Sequence, residues 1–467
     1  MKNKRKIFCL ILVFMLISTG CVKRRIDTLE KRKTQRIIEK GGFDAKSSVF
    51  YPDNIDQFDM DEYLAWYKDL SQPPKLQLLD PESPRPLSNK EMIEDFNFCF
   101  NELKENYPFF GVLKREYNFD FIGNYNKYLK RVKESKTDQE FIDVMTGIMG
   151  DLNNHHARIA DKDYVESTLL SYAKNWNSPS IYYEFLNLNK QAARNRYDIE
   201  GIQSFPSTSD ISKKSVGLLP KEKGPNMTVD TSKESIAIVK INQMLDLDKI
   251  KEDQEVLDNL LRNKHLYKAI IIDIRENYGG NMDYWQKFLL PKLLTNQKSV
   301  TNHLFFKDSD EAKLILADDT INVQTLANVD ISGVKLDNAD DLKNFDYYIR
   351  ETITISPDES NKDYGFEGNL YLLVDKNVFS AAEGMASFMK HSDTATLVGE
   401  QTGGDGITLG IINNVMPNSG LVFTYTNTLG YAPDGTIDQE TRTLPDVQAG
   451  SYRNSIEAIE EIEAGNF

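Results

Sequence analysis

The sequence predicts an α/β fold: a parallel or mixed sheet covered on both faces, preceded by a helical module and interrupted by an acidic insertion. Three observations predict it. From residue 235 onward, near-continuous β-branched runs alternate with helical patterns. Residues 89–160 carry apolar side chains at helical spacing, and an acidic stretch at about 300–366 breaks the later alternation. The 467 residues, 40% hydrophobic and 10% aromatic, suffice for two or three domains with a sizeable core.

Residues 1–20 differ from everything after them. A basic start, "MKNKRK", leads into "IFCLILVFMLI" and then into small residues before Cys21. That is the layout of a signal peptide, too short for a comfortable membrane span, with an uncleaved signal anchor as the alternative. The Gly-Cys ending resembles a bacterial lipobox, although Ser18 stands where an aliphatic residue is usual. The expectation is an acylated Cys21 and a chain lipid-anchored on the extracytoplasmic face of a bacterial cell membrane. Processing would leave Cys99 as the sole thiol, so no disulfide is expected, and no Cys/His spacing suggests a metal. It would also move the formal charge from -15 to -19, which argues against nucleic acid as a partner.

Residues 21–88 read as a tether and linker. "VKRRIDTLEKRKTQRIIEK" is basic enough to sit beside anionic lipid headgroups, or is simply an exposed charged helix. The Pro-rich run at 71–88 follows as an extended linker.

Residues 89–165 read as a helical module. The capping box Ser88/Glu91 opens a helix whose apolar face carries Ile93, Phe96, Phe100, Leu103 and Tyr107. A second pair, Thr137/Glu140, opens a helix bearing Phe141, Met145, Ile148 and Leu152. It runs into "DLNNHHARIA", where the Asn pair suits a turn and leaves His155 and His156 at the helix end. Residues 166–232 give little signal and read as an irregular region or subdomain, with no glycine-rich loop of the kind a peptide-binding PDZ insert brings.

Residues 233–467 form the α/β core with its insertion. "SIAIVKI", "KAIIIDIR", "NLYLLVD" and "TATLVGE" read as strands, with helices between them. In such sheets, sites gather where strand ends meet helix starts. Two strand ends are unusual: one runs into Gly279-Gly280 and the other into Ser380. The glycine pair either turns the chain or turns bare N–H groups toward a developing oxyanion. Ser380, with Glu383 three residues on, is either a helix cap or a nucleophile at the helix mouth, where Ala381 would add an N–H.

A serine hydroxyl needs a base to act near neutral pH. Five histidines are available, namely His155, His156, His265, His303 and His391. His391 ends the helix that Ser380 begins, which separates them by roughly 16 Å. The His155/His156 pair, at a helix-to-loop junction, is the better source.

Several runs, taken in order, resemble the tail-specific, or C-terminal-processing, serine peptidase family: "DLNNHHARI", "AIIIDIRENYGGN", "LYLLVDKNVFSAAEGMASFMK", "ATLVGEQTGGDG" and "TLPDVQ". The resemblance spans roughly residues 90–450. It implies a twisted sheet related to the crotonase fold, a peptide or protein substrate, cleavage through a serine, and no cofactor. It places Ser380 on the nucleophile, and Gly279, Gly280 and Ala381 on the oxyanion region. One branch of the family uses a Lys twenty-five residues beyond the serine, where this chain has Asp405. The branch similar to the tricorn core uses a His, which "LNNHHAR" matches at His156, with His155 and Ala157 departing from the usual Gly and Thr. That branch also uses a late acidic residue, matched by Glu440 with Asp438 as runner-up. The expectation is a serine endopeptidase. The alternatives are an inactive binding lipoprotein on the same fold and, from another class, a structural envelope lipoprotein.

Overall fold

The computed structural model describes residues 49–71, 74–79, 81–83, 85–173, 178–199, 224–450 and 452–465. The signal segment 1–20, Cys21 and the basic tether lie outside these residues, as do residues 200–223. Among the described residues, no helix is long and apolar enough to cross a membrane.

The α/β expectation holds. The central sheet has six strands: β1 (Met227–Lys233), β2 (Ile236–Ile241), β3 (Ala269–Asp273), β4 (Asn369–Val374), β5 (Thr396–Gly399) and β6 (Val447–Gln448). They lie in the order β6-β5-β4-β3-β2-β1, parallel except for the antiparallel pair β1–β2. The sequence "AIIIDI" shows why both faces must be covered. Ile270, Ile272 and Ile274 enter one core with the helices Lys251–Arg262 and Ala381–His391, while Ala269 and Ile271 face the C-terminal helix through Ile456 and Ile459. Period-two alternation with both sets apolar is what a strand buried on two sides requires.

The helical module forms as its caps predict. Ser88 and Glu91 make the reciprocal box that opens Asn89–Asn106, and Thr137 accepts from the Glu140 N–H to open Asp138–Gly150. Its apolar faces do not close on themselves. Phe96, Phe100 and Met145 share a core with Phe423, Tyr425 and Tyr431 from near the chain's end. The two-residue strand Arg158–Ile159 pairs antiparallel with Val422–Tyr425, putting Thr424 opposite Arg158. This pairing brings the histidines to the α/β core.

Two regions differ in character from their sequence reading. The stretch read as irregular, 166–232, opens inside the helix Lys162–Tyr172 and goes on to the helices Pro179–Leu188 and Gln191–Tyr197. Their burial pattern is hard to recognise locally because partners such as Val415 and Val422 lie far along the chain. The acidic insertion supplies most of a second, antiparallel sheet in the order Leu429–Tyr431, Lys298–Phe306, Tyr347–Ile355, Val323–Thr325.

Candidate active site

Ser380 stands where β4 hands over to the helix Ala381–His391. It does not cap that helix. Its side chain takes no bond from the helix N–H groups, and Glu383 turns inward instead, accepting from Thr443 Oγ1 at 2.6 Å. Ser380 has φ 57° and ψ -124°, a conformation that costs a side-chain-bearing residue about 1–3 kcal/mol. The surroundings hold it there: the Ser380 N–H donates to the Gly404 carbonyl at 3.2 Å, and the Phe379 N–H to the Asn277 carbonyl at 3.2 Å. The result is a half-buried hydroxyl with no hydrogen-bond partner among the described residues.

The glycine pair follows β3. Gly279 has φ +99°, and a Cβ there would lie 2.7 Å from the Phe379 carbonyl oxygen and 2.8 Å from the Ala381 nitrogen. Its lack of a side chain therefore lets this loop abut the serine turn. Gly280, at φ +131°, pairs with Met244 in a single parallel bridge, and a Cβ would sit 2.1 Å from the Met244 oxygen. The three expected oxyanion donors do not behave alike. The Gly279 N–H is already given to Asn277 Oδ1 at 2.9 Å. Those of Gly280 and Ala381 have no acceptor among the described residues, and both residues line the cavity of about 550 Å³ that also holds Ser380.

His156 lines the same cavity. An Asx turn fixes its backbone, with the His156 N–H donating to Asn154 Oδ1 at 2.7 Å, and Thr424 Oγ1 donates to the His156 carbonyl. Its ring packs 4.5 Å from that of Phe379, the residue before the serine. On the far side, His156 Nδ1 lies 2.7 Å from Asp405 Oδ2, which also accepts from Asn154 Nδ2 at 2.8 Å and Thr426 Oγ1 at 3.1 Å. Asp405 is buried and acceptor-only when ionised, so within the neutral imidazole it selects the Nδ1–H tautomer, in which Nε2 is the acceptor. His156 and Ser380 are not themselves hydrogen-bonded. His155 is exposed, its ring 5.1 Å from Phe379 and 6.4 Å from Tyr278.

The late acidic residues lie elsewhere. Glu440 forms a bidentate pair with Arg115, both bonds 2.7 Å, and Arg115 also holds Asp341. Asp438 is buried and accepts from the Gly406 and Ile407 N–H groups at 2.6 and 3.1 Å, bracing the loop that carries Asp405. Burial, reinforced by Glu383, pushes the Asp438 carboxyl well above the usual carboxylate range. The acid at His156 is therefore Asp405. In the sequence Asp405 stands only where the other branch has its lysine; the local signal for it is a carboxylate set among three glycines in "GGDG".

Known proteins resemble this chain in sequence over one region and in fold. Residues 235–449 match the model of peptidase family S41. No curated protein matches the chain. Among solved structures, mature CPAF complexed with lactacystin is 14% identical, covering 80% of this chain and 98% of its own, with a TM-score of 0.51. A candidate peptidase from Parabacteroides merdae is 15% identical over 79% of this chain and 96% of its own, at a TM-score of 0.49. The photosystem II D1 C-terminal processing protease is 12% identical over 77% of this chain and 93% of its own, at 0.37.

Proposed function

We propose, from the match of residues 235–449 to peptidase family S41 and from the geometry of the site, a lipid-anchored, extracytoplasmic serine endopeptidase using Ser380, His156 and Asp405. Ser380 Oγ attacks the scissile carbonyl carbon while His156 Nε2 takes its proton. Asp405 orients the ring and stabilises the imidazolium. The N–H groups of Gly280 and Ala381 receive the oxyanion, at the positive end of the helix that begins there. His156 returns its proton to the departing amine as the C–N bond breaks, leaving an acyl-Ser380 ester. Water, deprotonated by His156, then hydrolyses that ester and restores the serine.

One observation carries this reading: a buried His–Asp pair opens onto the same cavity as a strained serine and two unclaimed main-chain N–H groups. The reading requires Ser380 Oγ and His156 Nε2 to come into contact when substrate fills the cavity. Purified protein incubated with a mixed peptide pool should release fragments that the Ser380→Ala, His156→Ala and Asp405→Asn variants do not. Lipid anchoring rests on the sequence before and at Cys21. Tritiated palmitate should label the wild-type chain in cells and not Cys21→Ala; equal labelling refutes it.

A second reading, a peptide-binding protein without turnover, draws on the missing Ser380–His156 hydrogen bond. Peptide retained but never cut by folded wild-type protein would select it.

A further inference from the structure

One wall of the Ser380 cavity takes no part in the proposed reaction. The helix Lys162–Tyr172 buries Val165 and Leu169 against Tyr182 and Phe185. Its opposite side brings Tyr164, Ser167, Thr168, Ser171 and Tyr172 to the cavity, at positions i, i+3, i+4, i+7 and i+8. Five hydroxyl side chains thus form one continuous face, each half-buried. The helix keeps its charges away from this face: Lys162 pairs with Glu166 at 3.5 Å, and neither lines the cavity.

The remaining lining is equally free of unpaired charge. Met244, Leu245, Met282 and Leu409 make it apolar across from the helix. Apart from His156, the charged lining residues among those described are Asp246 and Lys249, which pair with each other at 2.8 Å. The hydroxyl wall is also braced from behind, since Tyr164 Oη donates to Asn413 Oδ1 at 2.9 Å. Arg158, whose guanidinium lies 4.6 Å from the Tyr164 ring, is within 3.9 Å of Asp161.

A solvent-facing helix side ordinarily carries lysine and glutamate, and this chain is 27% charged. Ser167 Oγ donates to the Tyr164 carbonyl at 3.0 Å and Tyr164 Oη to Asn413 Oδ1, so these hydroxyls keep lone pairs that can accept from the N–H groups of an extended peptide and from its small polar side chains. A charged side chain desolvated between these walls would meet only Asp246 and Lys249, which already neutralise each other. Successive side chains of an extended strand point to opposite sides. We propose that the helix Lys162–Tyr172 is a specificity wall, selecting an uncharged substrate stretch that sends apolar side chains toward Met244 and Met282 and small polar ones toward Ser167 and Thr168. The proposal rests on the Ser380 peptidase reading for its catalytic consequence, and on the cavity alone for binding.

The test uses decapeptides in which each position in turn is Ser, Leu, Glu or Lys and the others are an equimolar mixture. Cleavage is read by mass spectrometry with the active protein, and binding by fluorescence anisotropy with Ser380→Ala. Wild type should disfavour Glu and Lys at one or two positions by about tenfold. Thr168→Lys should restore the Glu peptides there and Thr168→Glu the Lys peptides, a reciprocal exchange that a loss of stability cannot mimic. Both replacements favour a helix, and circular dichroism checks the fold. A Glu/Lys ratio unchanged in binding and cleavage by both variants overturns the wall. Reciprocal exchange in binding with no cleavage by wild type would leave the wall standing and remove the peptidase reading.

Discussion

His156 Nδ1 lies 2.7 Å from Asp405 Oδ2, although 249 residues separate them along the chain. The pair forms because strand Arg158–Ile159 docks on Val422–Tyr425, while Asp438 holds the loop around Asp405 from below. Asp405→Asn keeps the volume but favours the opposite tautomer, so kcat on a cleaved peptide should fall about 10⁴-fold. Combining it with His156→Ala should cost little beyond the larger single effect, since the two act as a unit. Additive losses would contradict a coupled His156–Asp405 pair.

The oxyanion donors make a different prediction. Gly280→Ala pushes a Cβ into the Met244 carbonyl and should cost at least the 10²–10³ in kcat of losing one donor, together with a lower Tm. Gly279→Ala should also impair kcat by displacing Ser380 and Ala381, even though its own N–H serves Asn277. Full activity in either variant would contradict the arrangement.

Glu440 separates stability from chemistry. Glu440→Gln weakens a partly exposed clamp on Arg115 and should cost about 1 kcal/mol in denaturant unfolding. Its kcat should stay within tenfold of wild type. A loss matching that of Asp405→Asn would make Glu440 the functional acid.

Glu184 provides a pH test away from the reacting groups. Burial raises its carboxyl from an ordinary value of 4.5 to about 8, with Asn413 Nδ2 donating to it. A raised folded-state value means that the stability this group contributes is complete below about 4.5 and is lost as pH rises through about 8. Glu184→Gln should therefore gain Tm over wild type progressively across that window, with the least gain at pH 4. A Tm difference independent of pH would refute the assignment.

What the sequence made legible follows from how local each signal is. Ser88 and Thr137 announce their helices because a cap acts within one turn, and "AIIIDI" announces a strand buried on both faces by composition alone. Ser380 shows the limit of such reasoning. Its tetrapeptide satisfies a capping box, yet Glu383 is drawn away by Thr443, sixty residues along the chain. Asp405 was hidden for the same reason, since its partners Asn154, His156 and Thr426 are defined only by tertiary folding. The helix Lys162–Tyr172 is hard to read locally because its cavity-facing side carries half-buried hydroxyls where an amphipathic pattern would carry charge.

The most direct measurement is covalent labelling with a fluorophosphonate, located by tryptic mass spectrometry. The account predicts one adduct on Ser380, absent from Ser380→Ala and formed far more slowly in His156→Ala and Asp405→Asn. Folded wild-type protein that stays unlabelled, or Ser380 labelled equally fast without His156, would contradict it.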